Sequence, residues 1–79
     1  MDIQLIQGKF SAKDALDILT QMIHVKIKYH ENKIQQSSNE EDIKMREIKI
    51  KRLQKDLFEA KNHIDQLGNI ILESKISIA

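Results

Sequence analysis

Apolar residues recur every three or four positions from Ala15 to Ile34 and again from Ile43 to Leu67, the spacing of two amphipathic helices. The segments outside them alternate instead. IQLIQ near the start and ILESKISIA at the close are rich in isoleucine, and Leu72, Ser74, Ile76 and Ile78 fall on one side against Glu73, Lys75 and Ser77. The pattern predicts a strand at 2–7, a first helix at 11–36, a loop at 37–39, a second helix at 40–67 and a strand at 71–78. The competing expectation for the last segment is a second helix that runs through Gly68 to about Lys75.

Local signals set these boundaries. Ser11 can cap a helix, with Asp14 three residues on, and Asp14 and Asp17 lie near that helix's positive end. Ser38 with Glu41 repeats the pattern, and Glu40, Glu41 and Asp42 load the next first turn with negative charge. Gly68-Asn69 offers a left-handed C-terminal cap. The helices are matched in length at about 40 Å each. Their short connection favours antiparallel packing, so facing residues have numbers summing to about 76.

The two apolar faces differ. In the second helix Ile43, Ile50, Leu57, Ile64 and Ile71 repeat every seven residues, accompanied by Leu53, Ala60 and Leu67, which is a two-position coiled-coil seam broken by Arg46. Glu40 with Lys44, Asp42 with Arg46 and Glu47 with Lys51 are spaced to pair on its outer side. The first helix carries two stripes. One is Ala15, Ile18, Met22, Val25 and Tyr29; the other is Leu16, Leu19, Ile23, Ile27, His30 and Ile34. They lie about 120° apart and cover roughly half the circumference, more than one neighbouring helix needs. The first helix is therefore expected to pack on two sides. Its second neighbour would be another copy, the terminal segments or a different protein.

With 79 residues the chain makes one domain, 1–79, with a small core. It has no cysteine, so neither disulfides nor thiolate metal sites are available to staple it, and oligomerisation is the expected source of extra stability. Thirteen Lys and Arg balance twelve Asp and Glu, which is not the footprint of a strongly basic nucleic-acid binder. No apolar run approaches the ~18 residues that span a bilayer. Asp2 stands where a secretory signal has basic residues, so a soluble cytoplasmic protein is expected.

Candidate chemistry is sparse. HVKIKYHENKI holds two histidines, but His24 falls on the polar side of a helix and His30 on the apolar side, and His63 faces Lys13 in an antiparallel hairpin. No HExxH motif, glycine-rich phosphate loop or nucleophile elbow occurs. The expectation is no enzyme, no metal, no cofactor, no small-molecule substrate and no membrane. Basic residues gather at Lys44, Lys49, Lys51, Arg52 and Lys55, with Lys26, Lys28 and Lys33 at similar height on the first helix, and such a band can meet phosphates. They fan over several sides of the helix, and a solvated face explains them more simply.

The run IQGKFSAKDALDILTQMIHVKIKYHENKI, followed by EEDIKMREIKIKRLQKDL, resembles small uncharacterised bacterial proteins that form helical hairpins with short terminal strands. The resemblance implies a bacterial cytosolic origin and terminal strands, and carries over no activity, cofactor or site residue.

The expected fold is thus mainly α: an antiparallel two-helix hairpin with short terminal β-strands, dimerising into a four-helix bundle. Ile18, Met22, Val25 and Tyr29 form the expected contact with a second copy or another protein. The expected role is a non-catalytic protein-interaction or regulatory scaffold. The alternative is a small nucleic-acid-binding regulator.

Overall fold

Period-two patterning keeps both ends of the chain extended, and period-3.6 patterning coils the middle. A computed structural model describes residues 1–64 and 68–79. Its elements are β1 (Asp2–Ser11), α1 (Ala12–Gln36), α2 (Glu40–Ile64) and β2 (Asn69–Ser77). The expected end of the second helix at 67, including Leu67 of the seam and the turn that a Gly68-Asn69 cap would close, lies outside the described residues.

Side chains settle the helix ends. The Ser11 hydroxyl accepts from the Asp14 backbone N–H at 3.2 Å and caps α1. At the start of α2 the cap is Asn39, not Ser38. Its Oδ1 accepts from the N–H groups of Glu41 and Asp42 at 2.9 and 3.2 Å. Ser37 closes α1 through its own N–H to the Ile34 carbonyl, and its hydroxyl accepts from the Asn39 N–H, which tightens the connection.

β1 is longer than the expected 2–7 and leads straight into α1. Gly8 was a natural place to end a strand. Instead it stays within β1 at φ 147°, a conformation glycine adopts without strain. β1 and β2 pair antiparallel from Asp2↔Ser77 to Ser11↔Asn69, with one extra residue, Leu5, bulging from β1. Met1 and Ile78 exchange both backbone hydrogen bonds at 2.7 Å, and Lys75 Nζ lies 3.4 Å from Asp2 Oδ2. Because residues 69–77 are strand, Ile71 does not extend the seam. It sits on the outward face of β2, 74% exposed.

The core lies along α1. Its Ile23 and His30 are buried against α2, where Ile43, Ile50, Leu53, Leu57 and Ala60 are half-buried and Ile64 is buried. The ribbon lies against the first half of α1, and Ala15 is fully enclosed. The terminal segments are thus the second neighbour of α1, but only over its first turns. The whole molecule is one layer thick, with Cα extents of 45 × 34 × 13 Å and a radius of gyration of 15.0 Å. A compact chain of this length would have a radius near ~11.6 Å. It exposes 6349 Å², against about 4,900 Å² for a compact chain of its mass.

Candidate functional site

Spacing along α1 decides what its first stripe meets. Ile18 and Met22 lie one turn apart beside the ribbon, where they form an apolar groove of about 190 Å³ with Ile6, Leu19 and Leu72. Val25 and Tyr29 lie beyond it and are 72% and 52% exposed. The four residues expected at an interface therefore share a stripe whose first half is partly roofed by the ribbon and whose second half is open.

Tyr29 is held from below. Its ring meets His30 edge-on, with centroids 5.4 Å apart, and Lys33 Nζ and the Arg46 guanidinium each lie 5.8 Å from its centroid. Arg46 fills a seam position because its charge is matched inside the hairpin. Its Nε donates to Asp42 Oδ2 at 3.2 Å and its Nη1 reaches His30 Nδ1 at 3.0 Å. Arginine only donates, so His30 Nδ1 accepts and the ring proton belongs on Nε2. Burial, followed by the charges of Arg46, Lys49 and Lys26, holds His30 below its ordinary value, while Asp42 pulls the other way.

The basic band does not stay together. Lys49 and Arg52 join Lys26 around an open cavity of about 360 Å³ that Tyr29, His30, Leu53 and Asp56 also line. Lys44 lines a neighbouring depression with Lys49, Arg52, Met45 and Ile48. Lys51 borders neither cavity, and Lys55 lies 3.9 Å from Glu59 on the surface. Of the three ion pairs expected on the outer side of α2, Asp42–Arg46 is formed, but on the side facing α1, where Arg46 also reaches His30.

Sequence reasoning missed Met45 and Ile48, which are exposed on α2 outside the seam and next to the Lys49–Arg52 cavity. Their i, i+3 spacing was the available signal. Among the described residues no three His, Asp or Glu side chains gather as a metal site, and no helix is long and apolar enough to cross a membrane. Ser11 and Ser37 are occupied with backbone N–H groups.

The chain matches no protein-family model, and no curated protein or solved structure is found similar to it.

Proposed function

We propose that this protein is a non-catalytic interaction module, a small scaffold or regulator that works as a homodimer. Ile18, Met22, Val25 and Tyr29 are the contact, and two hairpins lying face to face make a four-helix arrangement. The supporting observation is the single-layer shape. The chain exposes about 1,400 Å² more than a compact chain of its mass. A standard interface takes about 800 Å² from each partner, so one face-to-face contact accounts for much of the excess. The open stripe also runs along the middle element of the layer, where a second hairpin gains the most contact.

Light scattering over a range of concentrations tests this reading. The expected result is an assembly that persists on dilution, and a Val25→Lys chain of half that mass with helical content retained. A wild-type monomer at every concentration, or an unchanged mass in Val25→Lys, would overturn it.

A second reading rests on Lys26, Lys49 and Arg52 converging on one cavity beside Tyr29. A nucleic-acid strand would meet its phosphates there. Binding of that kind falls steeply with salt, whereas an apolar contact does not. Titrating single-stranded RNA and DNA at low and high salt, with Lys49→Glu/Arg52→Glu as control, separates the two.

A further inference from the structure

We infer that the outer edge of β2 pairs with the same strand of a second copy, antiparallel and centred on Ser74. This contact is made by backbone groups of β2; Glu73 and Ser74 also border the groove with Ile18 and Met22, whereas Val25 and Tyr29 lie outside it.

Met1 and Ile78 exchange both hydrogen bonds, and β2 carries no bulge of its own, so the even-numbered residues of β2 turn their N–H and C=O groups toward β1. Ile71, Glu73, Lys75 and Ser77 turn theirs to the other side. The sheet has two strands, and among the described residues no hydrogen bond reaches those groups. The two edges of the ribbon are not equivalent. β1 is interrupted by the Leu5 bulge and by Gly8, both of which blunt an edge, while β2 is regular and has no proline.

Centring two antiparallel copies on Ser74 places Glu73 opposite Lys75 of the second copy, and Lys75 opposite its Glu73. Both are hydrogen-bonded pairs of opposite charge. Sliding by one step in either direction sets Glu73 against Glu73, or Lys75 against Lys75. Like charges directly opposite are destabilising, so the sequence disfavours the neighbouring registers. Inside one chain Glu73 faces the neutral Gln7, which leaves its charge free for this use.

Ile76 and Ile78 are exposed in the single chain. In this register they lie opposite Leu72 and Ile70 of the second copy. The result is a continuous four-stranded sheet, whereas an isolated two-stranded ribbon is marginal in water.

Single-cysteine cross-linking tests the register, since the chain has no thiol of its own. Ser74 is its own partner across the axis in a non-hydrogen-bonded pair, with a Cα separation near ~4.5 Å that suits a disulfide. In a glutathione redox buffer Ser74→Cys is expected to form covalent dimers. Ser77→Cys, which faces Ile71 of the second copy, is not. Adding Glu73→Lys to Ser74→Cys should slow cross-linking about tenfold or more, because it sets lysine against lysine twice. Adding Lys75→Glu as well should restore most of it, less what the loss of the Lys75–Asp2 pair costs the ribbon. Val25→Lys in the Ser74→Cys chain leaves the cross-link in place, since Val25 lies outside the groove between ribbon and α1; failure of the α1 contact and of the strand contact therefore read out separately. Cross-linking of Ser74→Cys no faster than Ser77→Cys, or indifference to Glu73→Lys, would overturn the inference and point to another protein's strand, or none, on this edge.

Discussion

Arg46 reaches across the hairpin to donate from Nη1 to His30 Nδ1 at 3.0 Å. The pair fixes the register of the two helices, since the numbers of facing residues sum to about 76 in a hairpin turning near Ser38. It also fixes a protonation state. Arg46 has nothing to accept with, so this contact needs a neutral imidazole.

Acid should therefore weaken the fold through His30. Its native pKa is lowered by burial and by Arg46, Lys49 and Lys26, against an unfolded value of about 6.5. Below about 6.5 the unfolded chain binds this proton and the folded chain resists it, so stability falls as pH drops toward the lowered native value. Above about 6.5 neither state binds it, and the contribution is constant. Urea denaturation at pH about 7.5 and about 5.5 measures the difference. His30→Gln, which removes the titration, should shrink it.

The same pair yields a double-mutant cycle. Arg46→Leu restores the apolar seam but leaves His30 Nδ1 without a donor, in a residue only 5% exposed. An orphaned buried acceptor costs about 1–3 kcal/mol, so the single change should destabilise. His30→Leu combined with Arg46→Leu removes both polar groups and should recover most of the loss. Equal denaturation midpoints for Arg46→Leu and wild type would show that the contact contributes nothing.

The connection between the helices offers a sharper comparison. Asn39 Oδ1 accepts from two N–H groups at the start of α2, while Ser38 accepts from none among the described residues. Asn39→Ala should cost about 1 kcal/mol, within the usual range for losing a cap. Ser38→Ala should be close to neutral. Thermal melts of the two variants side by side decide it, and a larger loss in Ser38→Ala would reverse the assignment.

These cases show what was legible in the chain. The heptad spacing from Ile43 to Ile64 is a direct imprint of α1 on α2, and Ser11 announces its helix because only a few side chains can satisfy the first N–H groups. Ser38 and Asn39 are both capable caps, and their choice depends on how a three-residue connection turns. Ile71 keeps the seven-residue spacing by coincidence, because after Gly68 the chain changes from a helical period to a period of two. Gly8 reads as a break, yet pairing with β2 holds it in the ribbon. The width of the apolar arc on α1 correctly required a second neighbour. One chain's pattern does not say how far the ribbon covers that arc, because coverage depends on the angle at which the ribbon leaves the helices.

That partial coverage yields the last prediction. The ribbon borders Ile18 and Met22 and stops short of Val25 and Tyr29, so among the described residues the stripe stays partly open. If a second copy covers it, folding and association are linked, and the melting temperature rises with protein concentration. The rise should be smaller in Val25→Lys, which buries a charge at the contact and leaves the single-chain core untouched, since Val25 is already mostly exposed. At high dilution the two proteins should then melt at nearly the same temperature. Scanning calorimetry over a hundredfold range of concentration measures both slopes. A wild-type melting temperature that stays fixed across that range would mean the single layer is stable alone and its open stripe is free to receive a different protein.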